Sequence, residues 1–133
     1  MKAAFADTFF FLAILNSTDP VHARAATLSR EWQARRVTTA WVLTEVTDAL
    51  ARHQHRARFS ELMEVLRTNP LVTILPSSAE LFERGVKLYS ERSDKDWTLT
   101  DCISFVVMEE EDIADAFTGD HHFEQAGFNA LLR

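Results

Sequence analysis

Four acidic residues in this sequence stand beside apolar segments: Asp7, Glu45, Asp101 and Asp120. Carboxylates that are brought together repel one another and raise each other's pKa unless a cation neutralises them. An all-oxygen cluster suits hard cations such as Mg²⁺ or Mn²⁺, whereas zinc prefers histidine and cysteine ligands. Such ions can hold a phosphodiester and promote its attack by water. If the four acids converge, they predict hydrolysis of a nucleic-acid phosphodiester.

Short apolar runs alternate with amphipathic segments along the chain. We predict strands at residues 3–6, 37–39, 71–75 and 113–117, and a last apolar edge segment at 128–132. We predict helices at 20–36, 41–53, 56–67 and 79–92, and a further helix that Asp101 opens after a cap at Thr98 or Thr100. This alternation predicts an α/β fold with a central, mostly parallel sheet of about four or five strands and helices on both faces.

The predicted fold gives the four acids a common location. Asp7 and Asp120 follow strands, and Glu45 and Asp101 lie in the early turns of helices. Residues just past the carboxyl ends of parallel strands meet in one crevice, so all four side chains can face the same space. The alternative is that each acid caps a helix or lies in a solvated loop. With 20 acidic residues in 133, spacing alone does not separate the two interpretations.

Composition predicts one compact domain over residues 1–133, since 47% of the residues are hydrophobic. The single cysteine, Cys102, cannot form an internal disulfide, which fits a cytoplasmic protein, and we expect it in the core. No apolar run approaches the roughly 18 residues that span a bilayer, and the N-terminal stretch lacks the features of a signal peptide. We therefore expect no membrane association.

Charge is distributed unevenly between the two halves of the chain. Residues 1–70 contain nine Lys/Arg and seven Asp/Glu, net +2, whereas residues 71–133 contain five and thirteen, net −8. Seven arginines fall between positions 24 and 58. They form either an ordinary solvated helix surface or a basic approach surface for the phosphates of a nucleic acid beside the acidic centre.

Four sequence blocks resemble the PIN-domain family and, within it, the VapC-type toxin ribonucleases. The blocks are FADTFFFLA at 5–13, TTAWVLTEVTDAL at 38–50, DKDWTLTDCISFVVME at 94–109 and FTGDHHFEQAGF at 117–128. The resemblance runs over essentially the whole chain, in family order. It implies a three-layer α/β sandwich, Mg²⁺- or Mn²⁺-dependent endoribonuclease activity on RNA, a cognate protein antitoxin and a homodimer.

The resemblance also implies roles for the acids. The family's acidic quartet falls on Asp7, Glu45, Asp101 and Asp120. Asp7 and Asp101 match the principal metal ligands, and Glu45 and Asp120 would complete the site or act through water.

Other residues near the quartet have weaker assignments. Thr8 matches the family's hydroxyl residue after the first aspartate and would orient a ligand or water, or cap the following turn. Thr118 and Asp96 are peripheral candidates, for which we favour a structural or solvated role. Gly119 replaces a bulkier residue expected there, which would loosen Asp120.

The histidines and phenylalanines admit two interpretations each. His121 and His122 follow Asp120 directly, and we expect a surface or helix-start role, with approach to the scissile phosphate as the alternative. The phenylalanines at 9–11 belong either to the core or to an interface, and an exposed patch of them would suit an antitoxin or dimer contact.

Three alternatives to a VapC-type ribonuclease stay open. One is a housekeeping PIN nuclease without an antitoxin, and another is a non-catalytic PIN-like module that binds metal or RNA. A degenerate module of that kind normally loses ligands, whereas all four positions here are acidic. The third is a receiver-like phosphoacceptor, which fits poorly because Asp7 stands alone at the first strand and no lysine follows Lys95.

Overall fold

The computed structural model describes residues 2–133, apart from the side chain of His53. The strands are β1 Ala4–Ala6, β2 Arg36–Thr39, β3 Val72–Leu75, β4 Asp115–Phe117 and β5 Asn129–Ala130. The helices are α1 Thr8–Leu15, α2 His22–Glu31, α3 Ala40–Ala49, α4 Arg56–Thr68, α5 Ala79–Glu91, α6 Leu99–Glu110 and α7 His121–Gln125, with a short 3-10 turn at His53–His55. The predicted α/β class is confirmed.

The five strands form one parallel sheet in the order β3-β2-β1-β4-β5. The chain winds outward from β1 through β2 to β3, then crosses to the other side of β1 to form β4 and β5. The strand order therefore reverses between β1 and β4. In open parallel sheets a crevice lies at such a reversal, outside the carboxyl ends of the strands. The segments after β1 and β4 begin at Asp7 and Thr118.

Helix α2 is shorter than predicted, because it ends at Glu31 rather than continuing to Arg36. Trp32 is extended (φ −80°, ψ 110°), and its ring packs edge-on against Phe117 at a centroid distance of 5.4 Å. The Arg36 guanidinium donates to the Trp32 carbonyl oxygen at 3.0 Å. These contacts turn the chain out of the helix and into β2.

The phenylalanines of α1 do not form an exposed patch. Phe10 and Phe11 are 5% and 2% exposed, and Phe10 packs against Phe117 at 5.0 Å between ring centroids. Phe9 is half-buried. Cys102 is fully buried, as expected, and this burial raises the pKa of its thiol to about 11, which excludes a ready nucleophile.

Helix α6 is held against its neighbours by close packing on two sides. Gly85 in α5 lies so close to Ile103 that an added Cβ would meet Cγ1 at 2.3 Å. On the other side, Phe105 packs edge-on against Trp97 and Phe123, with ring centroids 5.0 and 4.9 Å apart. The helix that carries Asp101 is thereby fixed against α5 and α7.

Candidate active site

Asp7 lies immediately after the central strand β1 and is 5% exposed. Its backbone N–H donates to the Phe117 carbonyl oxygen at 3.3 Å, and its carboxylate oxygen Oδ2 accepts a hydrogen bond from Thr118 Oγ1 at 2.8 Å. The pKa of Asp7 is raised to about 7, mainly by burial and in addition by the charges of Asp101 and Asp120, while the hydrogen bond from Thr118 acts in the opposite direction. Among residues 2–133, no lysine or arginine forms an ion pair with this buried carboxyl group.

Asp101 reaches the same region from the first turn of α6. Thr98 caps this helix in a reciprocal arrangement: the Asp101 N–H donates to Thr98 Oγ1 at 3.0 Å, and the Thr98 N–H donates to Asp101 Oδ2 at 3.2 Å. Asp101 is 7% exposed, and burial raises the pKa of its carboxyl group. The capping box thus fixes the carboxylate against the end of the helix.

Asp120 follows β4 by way of Thr118 and Gly119. Its N–H donates to Thr118 Oγ1 at 3.1 Å, and its Oδ1 accepts from the His122 N–H at 2.9 Å, so that Asp120 caps α7. Because the Thr118 hydroxyl donates to Asp7 and accepts from Asp120, this buried threonine joins the two acids. The structure gives Thr118 a direct part in the site, whereas the sequence suggested a peripheral one.

Glu45 reaches the site at its edge. It lies in the second turn of α3, is partly buried, and accepts a hydrogen bond from Thr8 Oγ1 at 2.5 Å through Oε1. Thr8 adjoins Asp7 in sequence, so this hydrogen bond places Glu45 beside the residue that follows the first acid. The Thr8 hydroxyl is therefore directed at Glu45.

Asp96 is exposed, in line with the structural or solvated role favoured for it, whereas Gly119 packs differently from expectation. Asp96 is exposed in the loop before α6, and no hydrogen bond or ion pair of the described residues joins it to the other acids. Gly119 leaves room for Phe9: a Cβ at this position would meet the Phe9 ring at 2.4 Å. The glycine therefore permits close packing beside Asp120 instead of loosening it.

His122 lies closer to the acids than the surface or helix-start role expected from the sequence indicated. His122 Nδ1 lies 3.0 Å from Asp101 Oδ2 and 3.5 Å from Asp120 Oδ1, with only 18% of its side chain exposed. Asp120, His121 and His122 offer ligand atoms within 4.8 Å of one another. In the sequence, the contact between these two side chains was indicated by the position of His122, two residues after Asp120.

Trp97, to which the sequence assigned no role, connects α6 with α7. Its indole N–H donates to Gln125 Oε1 at 3.0 Å, and the Arg92 guanidinium lies over its ring at 4.8 Å from the centroid. Trp97 precedes the cap residue Thr98 and contacts the last residue of α7. It therefore ties the start of α6 to the helix that follows Asp120.

These features together define a parallel α/β fold with carboxylates at the reversal of strand order. Among residues 2–133, no Lys or Arg forms an ion pair with any of the four acids, Asp7, Asp101, Asp120 and Glu45. The PIN domain family matches residues 4–129 of the chain. The chain therefore belongs to the PIN-domain family.

Two relatives carry the same description, "23S rRNA-specific endonuclease VapC20", from Mycobacterium tuberculosis strains CDC 1551 / Oshkosh and ATCC 25618 / H37Rv. Each is 30% identical over 128 residues, 93% of this chain and 94% of the relative. The crystal structure of Mycobacterium tuberculosis VapC20, described as a sarcin–ricin loop cleaving toxin, is similar with a TM-score of 0.85 at 26% identity, covering 94% of this chain and 95% of that one. Within its family, the chain is a VapC-like ribonuclease of the toxin class.

Two further structures share the fold. They are Rickettsia felis VapBC2 bound to a promoter DNA fragment (TM-score 0.66, 12% identity) and Neisseria gonorrhoeae FitAcB (TM-score 0.67, 19% identity). Each match covers 98% of this chain and 96% of the other. Along residues 2–133, no helix combines the length and the hydrophobicity that crossing a membrane requires.

Proposed function

We propose that Asp7, Asp101 and Asp120 hold a divalent cation, Mg²⁺ or Mn²⁺, that Glu45 completes the site, and that the chain cuts RNA internally there as a single nuclease domain. The observation that supports this most is the burial of two carboxylates, Asp7 and Asp101, in one crevice without a lysine or arginine partner among the described residues. Burying such groups costs free energy that a bound cation would offset.

The donor set fits a hard cation. Three carboxylates contribute oxygen atoms, the ligands that Mg²⁺ and Mn²⁺ prefer. Asp7 and Asp101 carry raised pKa values because of burial, and a cation between them would favour their charged forms. A divalent cation bound there supplies Lewis-acid polarisation of the scissile phosphodiester and neutralises developing negative charge.

The chain's own contribution is orientation of the oxygen atoms. Thr118 holds one oxygen of Asp7, the Thr98 N–H holds one oxygen of Asp101, and Thr8 holds one oxygen of Glu45. Fixing one oxygen of each carboxylate reduces the rotamer freedom that would be lost on binding a ligand. The site is therefore largely formed before the cation or the RNA arrives.

For the substrate, we propose a loop of structured ribosomal RNA. The relatives with 30% identity are described as 23S rRNA-specific endonucleases, and the similar crystal structure as a sarcin–ricin loop cleaving toxin. The match extends over 93% of this chain. The sarcin–ricin loop of 23S rRNA is the first RNA to test.

For partners and location, we propose a cognate protein antitoxin, a homodimer and a cytoplasmic site of action. The toxin description of the similar crystal structure supports the antitoxin. Val65, Leu71 and Phe82, which are 60%, 38% and 41% exposed, supply apolar surface for association. The target RNA and the single free cysteine fit the cytoplasm.

The proposal is tested by incubating purified protein with 23S rRNA and with total RNA, in Mg²⁺ or Mn²⁺ and in EDTA. Asp7→Asn retains an oxygen that can accept from Thr118 but removes the charge. Asp96→Asn is the matched control, since that aspartate is exposed and outside the site. We expect cutting at a defined position by the native protein and Asp96→Asn, and none by Asp7→Asn or in EDTA.

Other outcomes would count against specific parts of the proposal. Metal-dependent cutting that survives Asp7→Asn would remove this residue from the site. Cutting of other RNAs but not 23S rRNA would leave the nuclease and change the substrate. A folded protein that binds Mn²⁺ without cutting any RNA would favour a metal-binding module.

A further inference from the structure

The His122 ring lies against the carboxylates of two of the candidate metal ligands, Asp101 and Asp120. It lies in α7, two residues after Asp120, and its ring is largely buried with 18% of the side chain exposed. Its Nδ1 atom is 3.0 Å from Asp101 Oδ2 and 3.5 Å from Asp120 Oδ1. Its backbone N–H donates to the same Asp120 oxygen at 2.9 Å.

These contacts distinguish the two carboxylate oxygens of Asp101 and of Asp120: one accepts hydrogen bonds from protein groups, and the other does not. Asp101 Oδ2 receives the Thr98 N–H and faces His122 Nδ1, and Asp120 Oδ1 receives the His122 N–H. Among residues 2–133, the other oxygen of each of these two carboxylates has no hydrogen bond. One oxygen on each acid is thus fixed by protein donors, and the second is available to a cation.

The direction of the hydrogen bond at Nδ1 follows from its surroundings. Both atoms that face Nδ1 belong to carboxylates, and an ionised carboxylate only accepts hydrogen bonds, so with both acids ionised Nδ1 is the donor. This holds for the neutral Nδ1–H tautomer and for the imidazolium alike. The contact therefore does not depend on the charge of the ring.

His121 provides a contrast within the same helical turn. Its side chain is 55% exposed, and its Nδ1 lies 3.6 Å from Asp120 Oδ1, beyond hydrogen-bond distance. The rings of the two histidines lie 4.5 Å apart between centroids. The two residues share chemistry and position in sequence, but only His122 spans from Asp120 to Asp101.

We propose that His122 is a positioning residue: its Nδ1–H holds Asp101 Oδ2 beside Asp120, so that the free oxygens of both acids face a divalent cation. This inference rests on the proposed metal site. In this role, His122 increases metal affinity by orienting the ligands and does not contact the RNA. Hydrogen-bonding groups behind metal ligands typically contribute about 10–100-fold to affinity or activity.

The experiment compares His122→Asn, His122→Gln and His121→Gln. The asparagine amide can place its nitrogen near the position of Nδ1, whereas the longer glutamine places it near Nε2, away from the two acids. Mn²⁺ affinity is measured without RNA by the loss of the free Mn²⁺ electron paramagnetic resonance signal. RNA cutting is measured separately as kcat and KM, and thermal unfolding confirms that each variant folds.

We expect His122→Gln to weaken Mn²⁺ binding by about 10–100-fold and to lower kcat at fixed Mn²⁺, with KM for RNA unchanged. His122→Asn should stay within about threefold of the native affinity, and His121→Gln should equal the native protein. In the native protein, long-range ¹H–¹⁵N correlation should show a hydrogen on His122 Nδ1, a readout that needs neither variant.

Native-like Mn²⁺ affinity in His122→Gln would overturn the inference, as would equal losses in folded His122→Asn and His122→Gln. A neutral His122 ring with its hydrogen on Nε2 would also overturn it. Failure of the underlying metal site gives a different result, namely that the native protein itself binds no Mn²⁺. The two failures are therefore distinguishable in one series of measurements.

Discussion

The two ends of helix α6 both carry acids, but in opposite environments. At its beginning, Asp101 is 7% exposed and is enclosed by a capping box and by His122. Among residues 2–133, it forms no ion pair with Lys or Arg. At its end, Glu110 pairs with Arg84 at 2.6 Å and Glu111 with Arg35 at 3.5 Å, on side chains that are about a third to a half exposed. The same functional group is therefore buried at one end and solvated at the other.

The acidic run at 109–112 also has a structural part. Asp112 adopts a left-handed conformation (φ 55°), and the Ile113 N–H donates to the Met108 carbonyl oxygen at 2.8 Å. This is the usual way in which a helix ends, with a short polar residue in place of glycine. The comparison shows that burial and the absence of a cationic partner distinguish the candidate site, whereas the local density of acids does not.

The largest expected effect contrasts Asp101→Asn with Glu110→Gln. We expect Asp101→Asn to lower kcat/KM for RNA by about a thousandfold, or about 4 kcal/mol, because it removes a charged ligand of the proposed cation. Glu110→Gln, at the solvated end, should retain native activity. Equal losses in the two variants, measured on the same RNA, would abolish the distinction between the two ends.

The second effect concerns the pH dependence of stability in the metal-free protein. The pKa of Asp7 is about 7 in the folded protein and 3.8 in the unfolded reference, so the folded state holds a proton that the unfolded chain releases between those values. Raising the pH from about 4 to about 7 therefore favours unfolding, and the contribution of Asp7 is lost across that window. We expect a decrease of roughly 2–4 kcal/mol in the free energy of unfolding.

Chemical denaturation in EDTA at several pH values measures this decrease. Asp7→Asn should flatten the dependence and be more stable than the native protein at pH 7, and Mn²⁺ should stabilise the native protein at that pH. Glu110→Gln should follow the native curve. A native protein that gains stability between pH 4 and 7 in EDTA, with Asp7→Asn following it, would contradict the assignment.

The third effect concerns packing beside Asp120. Gly119→Ala places a methyl group against the Phe9 ring, at 2.4 Å from Cζ before any adjustment, and we expect a loss of about 1–3 kcal/mol in stability. Phe9→Leu in the same chain should recover part of that loss. A double-mutant cycle by chemical denaturation measures the coupling, and strict additivity of the two changes would show that the ring is not the obstacle.

The smallest effect is expected at the solvated end. Because the Arg84–Glu110 pair is exposed, a cycle of Arg84→Gln and Glu110→Gln should give a coupling of about 0.2–1 kcal/mol. The coupling should decrease in high salt. A value of several kcal/mol, insensitive to salt, would mean that this end of α6 is more enclosed than its exposure indicates.

Sequence alone determined much of the local structure. Apolar runs placed the strands, because a strand buried on both faces of a parallel sheet must be apolar along its length. Thr98 was identifiable as one of two candidate caps of α6, since its hydroxyl can satisfy a backbone N–H group at the helix start. Four acids were identifiable as candidates: Asp7, Asp101, Asp120 and Glu45. An acid beside a buried segment carries a desolvation cost, and a purely structural position does not require that cost.

The tertiary structure decided the arrangement of those acids. Strand order is a long-range property, and only the crossing from β3 to β4 on the other side of β1 brings Asp120 beside Asp7. The hydrogen bond from Thr118 to Asp7 spans 111 positions, and the contact from His122 to Asp101 spans 21. No local pattern encodes such partners, because they depend on how the elements pack.

The same reasoning explains the interpretations that the structure changed. Gly119 appears flexible in a one-dimensional pattern, but the Phe9 ring occupies the space that a side chain would need. Helix α2 appears longer by periodicity than it is, because Trp32 is drawn to Phe117 in the sheet. Sequence specified the candidate residues, and packing determined which of their atoms accept hydrogen bonds from the protein.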